Sequence, residues 1–236
     1  MGDVRNDGDV PKIDGRRARR LHTEAELVRA VGELLTEGGV AAVGINAIAE
    51  RAQVDKVLIY RYFGDLDGLL ERYGESGDFW PTLDEVLGPD RDALRLELPE
   101  MARTILGRYA HALRSRPITL ELLAWECVER SPLTRALEAA RERWSDALFA
   151  EVRATGAPLT PPVLTTLAMM SAAINYLAVR GREIAVFSGL PVGSDAGWHA
   201  IDDAIEQAIR GLTSAPAATP KKAATPQKKK THRRTT

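Results

Sequence analysis

Between Val54 and Glu71 the chain reads VDKVLIYRYFGDLDGLLE, which crowds Lys56, Tyr60, Arg61, Tyr62 and Phe63 into one short segment closed by Gly64. The chemistry this set can do is recognition. Lysine and arginine address phosphates or guanine edges, a phenol reaches a phosphate oxygen, and the methyls of Val57 suit a thymine methyl. Bond-making chemistry has little to work with. His22, His111, His199 and His232 are scattered and show no metal-ligand spacing. No phosphate-binding glycine loop occurs, and FSGLPVGSDAG lacks both the nucleophile-elbow motif and a strand before it. Asp202 and Asp203, adjacent on a helix, point in different directions and read as surface. An enzyme is therefore not expected, and the reading calls for no cofactor and no metal.

The recognition set needs elements to hold it. Ile45, Ile48 and Ala49 mark a short helix that ends near Ala52, and Gln53-Val54-Asp55 forms a turn. A further short helix starts near Lys56, where Asp55 can cap it with a charge that suits the positive helix end. Ile59 and Phe63 sit four apart on one face and can pack against Ile48 and Leu34. Lys56, Val57, Tyr60 and Arg61 fall elsewhere on the wheel. Upstream, Leu27, Val31, Leu34 and Leu35 recur at helical spacing, with Thr23 and Glu26 as a capping box at the start and Gly38-Gly39 at the end. Arg16, Arg17, Arg19 and Arg20 form a basic knot directly before that helix, and Leu66, Leu69, Leu70 and Tyr73 begin a fourth. Two short helices joined by three residues make a helix-turn-helix. The same spacing also suits a helical hairpin inside an ordinary bundle, with its cations simply solvated.

Beyond Pro81 the pattern stays helical over 94–113, 118–128, 133–152, 163–187 and 198–212, with no strand periodicity and no internal repeat, so the fold class is all-α. A chain of 236 residues with 44% hydrophobic and 28% charged residues can build a sizeable core. Met1 to Asp14 has no apolar run and does not read as a secretory signal. Cys127 is the single cysteine, which rules out an intrachain disulfide and fits a reducing cytosol. Ala154 to Val179 carries no charge, but prolines break its first part and the remainder falls short of the ~20 residues of a typical span. It reads as a buried helix, and no membrane partner is expected. The net charge of −1 hides seven basic residues after Gly211 with no acid, which leaves −8 on residues 1–210. The Ala-, Pro-, Thr- and Lys-rich end has too little to bury and should be disordered. It can attract nucleic acid or merely solubilise the chain.

INAIAERAQVDKVLIYRYFGDLDGLLERY, from Ile45 to Tyr73, resembles the DNA-binding domain of TetR-family transcriptional regulators. Ile48, Ala49, Ala52, Val54, Tyr60, Phe63 and Leu69 match that family's pattern in order and spacing, and the likeness covers roughly residues 16–75. Gln53 stands where the family has a turn glycine, so that site must accept a side chain, and a positive φ is expected. Asp55 replaces a common serine. Gly44, Leu58 and Leu66 stand where threonine, a phosphate-binding threonine and lysine are common. Residues 16–75 also hold nine basic and ten acidic side chains, which argues for lowered affinity to the DNA backbone.

The resemblance implies a flexible leader (1–15), a helix-turn-helix DNA-binding domain (16–75), a helical ligand-binding and dimerisation domain (76–212) and a disordered Lys-rich tail (213–236). It implies double-stranded DNA as partner, read by Asp55, Lys56, Val57, Tyr60, Arg61 and Tyr62 and by the Arg16–Arg20 knot as an arm into the neighbouring minor groove. It implies a homodimer through the last two helices, where Ala172, Ala173, Ala178 and Ala204 permit close approach, and a palindromic operator. A repressor answering a small-molecule effector in the cytoplasm is the expected form. Candidate effector contacts are Tyr109, Trp125, Cys127, Trp144, Met169, Met170, Asn175 and Tyr176, each of which also suits a core or interface position, Cys127 as an inert buried thiol. The competing reading is an architectural nucleic-acid-binding protein driven by the basic C-terminal tail.

Overall fold

The computed structural model describes residues 15–214, so expectations for the leader up to Asp14 and for the tail from Ala215 lie outside the described residues. Ten α-helices follow in order. They are α1 (Gly15–Gly38), α2 (Ile45–Arg51), α3 (Val57–Phe63), α4 (Leu66–Gly74), α5 (Leu83–Leu87), α6 (Leu98–Arg114), α7 (Pro117–Glu126), α8 (Pro132–Ala154), α9 (Pro161–Arg180) and α10 (Asp195–Ser214). Short 3-10 turns span Val40–Ala42 and Asp92–Arg95. Among the described residues there is no strand, only an isolated bridge between Phe187 and Leu190. The fold is all-α.

Local chemistry sets the helix ends. Proline at the first turn opens α6, α7, α8 and α9, where its missing N–H costs nothing. Thr82 with Glu85 caps α5, and Ser131 with Thr134 caps α8. The expected capping box at Thr23 does not form. α1 starts eight residues earlier, at Gly15, and the Thr23 hydroxyl donates to the Arg19 carbonyl at 3.0 Å from within the helix. The basic knot therefore forms the first turns of α1 and does not precede it. Four arginines there oppose the helix dipole. Arginine's good helix propensity and the pairing of Arg20 with Glu24 offset part of that cost.

One continuous core runs from Leu27 and Val31 of α1, through Ile48, Ile59 and Leu69, to Ile205 and Ile209 of α10. α6 packs along α10, and α4 packs across α8. The second crossing is close because Gly74 has no side chain: a Cβ there would stand 2.9 Å from the Ala140 methyl. A chain of rings, Tyr73, Phe79, Trp80, Tyr109 and Trp144, extends the core from α4 to α8, with successive centroids 5.7–5.8 Å apart.

α9 differs from expectation in length and in burial. It stops at Arg180, not near Phe187, because Gly181 turns the chain and Phe187 then bonds Leu190 in a tight reversal. It is also not a buried helix. One side packs on α6, α7 and α10 through Val163, Leu167, Ile174, Leu177 and Ala178, while Met169 is 68% and Tyr176 52% exposed. Ala178 therefore serves this subunit's own core, whereas Ala172, Ala173 and Ala204 face out. By length and composition α9 could cross a membrane; its inner side is instead an ordinary bundle contact.

Candidate nucleic-acid interface

The turn between α2 and α3 is built by three devices. Gln53 takes a φ of 54°, the left-handed conformation expected where a glycine is usual. The Val54 N–H donates to the Ala49 carbonyl at 3.0 Å, which folds the turn back on α2. The Asp55 carboxylate accepts from the Val57 N–H at 2.9 Å and so satisfies one orphan donor of α3. Ile59 then reaches the core fully buried, with Phe63 packed beside it, and Gly64 closes the helix at a φ of 85°.

Anchoring by Ile59 fixes which face looks outward. Val57 is 60% and Tyr60 50% exposed, and Lys56 and Arg61 lie on the same open surface. Tyr62, grouped with Tyr60 by sequence, has a different position. It is half-buried against the core, and the Arg20 guanidinium stands over its ring at 5.2 Å. This contact sets the first turns of α1 beside α3, so Arg16, Arg17 and Arg19 stand exposed near the recognition helix. Arg19 donates to the Gly15 carbonyl and keeps no carboxylate partner among the described residues.

Pairing resolves the charge tally of the first four helices. Glu26 and Glu33 hold Arg29, Glu33 and Glu37 hold Arg51, and Glu24 holds Arg20. Glu71 and Glu75 face Arg143 of α8. The Arg51 hydrogen bond keeps the Glu37 carboxyl below its usual range. Lys56 and Arg61 are left out of this arrangement. Among the described residues Lys56 reaches only the side-chain Oδ1 of Asn46, at 3.4 Å, and Arg61 has no carboxylate partner. Near-zero net charge thus coexists with a locally cationic face. Asn46 was not anticipated; it belongs to this face only because α2 and α3 cross.

The later helices enclose a cavity of about 350 Å³ between α6, α8 and α9. Of the eight candidate effector residues, Tyr109, Trp144 and Asn175 line it. The Tyr109 hydroxyl donates to the Asn175 Oδ1 at 2.6 Å, and its ring stacks on Trp144 at 5.8 Å. Burial pushes the Tyr109 phenol up. Trp80 and Arg141 also line the cavity and were not anticipated, since nothing local in sequence sets them apart. The other five candidates lie elsewhere. Trp125 is half-exposed at a small cleft beside Gly38 and Ile118. Cys127 is exposed, contrary to the buried thiol expected, because α7 ends at Glu126 and turns it outward. Met169 and Tyr176 face out from α9, and Met170 packs partly into the core.

The sequence profile of the bacterial regulatory proteins of the tetR family matches residues 27–73, the stretch that carries this turn and its open face. Full-length likeness extends the match. The transcriptional regulator BetI of Burkholderia thailandensis is 26% identical over 202 residues, covering 84% of this chain and 96% of that protein. Residues 27–73 thus carry the DNA-binding domain of the tetR family, and the chain as a whole is similar to a TetR-family regulator. The BetI of Burkholderia cenocepacia is 36% identical over 62 residues, 26% of this chain and 30% of that protein. A TetR-family structure from Rhodococcus sp. shares the fold, at a TM-score of 0.50 and 19% identity over 82% of this chain and all of that one. The domain match and the likeness to BetI support a DNA-binding transcriptional regulator.

Proposed function

We propose that the protein is a ligand-responsive repressor that binds a palindromic operator as a homodimer in the cytoplasm. The observation that carries this reading is the open face of α3, where Val57 and Tyr60 are half-exposed between two cations, Lys56 and Arg61, that no carboxylate among the described residues neutralises. Residues 16–75 form the reading head. Lys56, Val57, Tyr60 and Arg61 enter a major groove, Asp55 holds the helix start, and Tyr62 with Arg20 fixes the angle of the arm. Residues 76–212 form the sensing and dimerising part, and the two recognition helices of a twofold dimer meet successive half-sites.

The dimer reading rests on α9. Its outer side shows Met169, Ala172, Ala173 and Tyr176, and no charge occurs from Pro161 to Val179. The effector reading rests on α8. Trp144 and Arg141 of α8 line the cavity, while Leu137 and Ala140 seat Gly74 of α4 and Arg143 reaches Glu75 at 3.0 Å. A ligand that displaces α8 therefore moves the helix that carries the reading head. It favours a head spacing that no longer fits two successive grooves, and DNA is released.

The test is a pull-down of genomic DNA bound by the full chain, repeated with a chain ending at Ser214. Both should enrich one palindromic sequence. If the shorter chain loses most binding to every DNA, the architectural reading through the basic tail replaces this one.

A further inference from the structure

The proposed effector cavity has a distinctive polar inventory. Its walls are apolar, from Leu98, Met101, Ile105 and Leu148, and aromatic, from Trp80, Tyr109 and Trp144. A ring of this kind suggests a cage for an organic cation, but the faces are already used. Tyr109 and Trp144 stack on each other, and the edge-to-face contact of Trp80 with Trp144 lies at 6.3 Å. The Arg141 guanidinium occupies the Trp80 face at 5.3 Å. A second cation would meet that one at close range.

Arg141 also gives nothing to an anion. Both of its terminal nitrogens bind Glu126, at 2.6 and 2.7 Å, and burial raises the Glu126 carboxyl against the pull of Arg141. The pair is closed and neutral. Glu142, the other charge on the lining, is exposed at the rim and solvated.

What remains is a surplus of hydrogen-bond donors. The indole N–H groups of Trp80 and Trp144 are both buried with no acceptor among the described residues. Asn175 spends its carbonyl oxygen on Tyr109 and keeps its NH2. The Ser171 hydroxyl donates to the Leu167 carbonyl. Buried donors without acceptors are costly, and an oxygen that reaches them relieves that cost.

We infer that, if this cavity is the effector site, its ligand is an uncharged, largely apolar molecule carrying an oxygen acceptor, held at the wall formed by Trp80, Trp144 and Asn175. The inference rests on the effector reading above. At the ~30 Å³ that each water takes in the liquid, the cavity holds roughly a dozen non-hydrogen atoms, the size of a two-ring compound.

Three matched probes test it by calorimetry on the full chain: 2-acetylnaphthalene, 2-isopropenylnaphthalene and trimethyl(2-naphthyl)ammonium. The ketone should bind about tenfold more tightly than the alkene, and the ammonium most weakly. Trp80→Phe and Trp144→Phe keep the rings and remove the N–H groups. They should shrink the ketone-to-alkene affinity ratio to about threefold or less; both probes lose the same packing, so the ratio isolates the hydrogen bond, and an unchanged far-ultraviolet spectrum excludes lost folding. Equal binding of ketone and alkene, or a ketone advantage untouched by both variants, overturns the ligand class and leaves the cavity reading standing. So does tightest binding of the ammonium, which would make the site a cation cage. If no probe binds, or if Ala102→Trp, which fills the cavity, leaves all three affinities unchanged, the cavity reading itself fails and takes this inference with it.

Discussion

Helices α3 and α9 each leave an apolar face open to water, to nearly the same degree. Val57 and Tyr60 are 60% and 50% exposed on one; Met169 and Tyr176 are 68% and 52% exposed on the other. Their neighbours differ. Around α3 stand Lys56, Arg61 and the first turns of α1, whereas α9 has no charged residue until Arg180. Exposed apolar surface says that a face meets something. The charge beside it says what. A methyl and a phenol among cations fit the groove of a polyanion. A methionine and a phenol among alanines fit another protein surface, and the self-complementary choice is a second copy.

That contrast can be broken from either side. The largest effect is expected on α9. Met169→Glu puts a charge on the face proposed to pair, so sedimentation should show monomers, and operator affinity should fall by about 10²–10⁴-fold as two linked heads become one. A dimer that survives this change would remove α9 from the interface. On α3, Tyr60→Ala should cost about 100-fold in operator binding, by fluorescence anisotropy, with helicity and dimerisation intact. Loss of helicity would instead make Tyr60 a structural residue. Lys56→Ala should cost about tenfold and relax base preference at one position. An equal loss on every duplex would assign Lys56 to a phosphate.

The turn and α3 were legible because their determinants are local. Asp55 before a helix implied a cap two residues from its effect, while the positive φ at Gln53 was implied by the resemblance, whose pattern has a turn glycine there. The start of α1 was misread for a related reason. Thr23 and Glu26 have capping-box spacing, but three residues is also one helical turn, so the pattern cannot separate a helix start from a helix interior. α9 was misread because apolar composition says that a face avoids water without saying whose surface covers it. The charge tally misled because it counts side chains and not pairs: Glu24, Glu26, Glu33, Glu37, Glu71 and Glu75 are spent on Arg20, Arg29, Arg51 and Arg143, none of which lies on the open face of α3. The cavity was least legible. Trp80, Arg141 and Asn175 come from distant segments, and only the crossing of α6, α8 and α9 joins them.

The smallest change sharpens the comparison by isolating how α3 is aimed. Gln53 holds a left-handed backbone at a φ of 54°, a conformation that costs a residue with a Cβ about 1 kcal/mol or somewhat more. Glycine adopts it freely but loses more entropy on folding, so the two effects partly cancel. Gln53→Gly should therefore stabilise by about 0.5–1 kcal/mol, a rise of roughly 1–4 °C in a thermal melt for a chain of this size. Operator affinity should stay within about twofold, because the Gln53 side chain is not among the four that form the open face of α3. A larger drop in affinity with a raised melting temperature would mean that Gln53 itself reaches the duplex. The reading surface would then begin in the turn and not at Lys56.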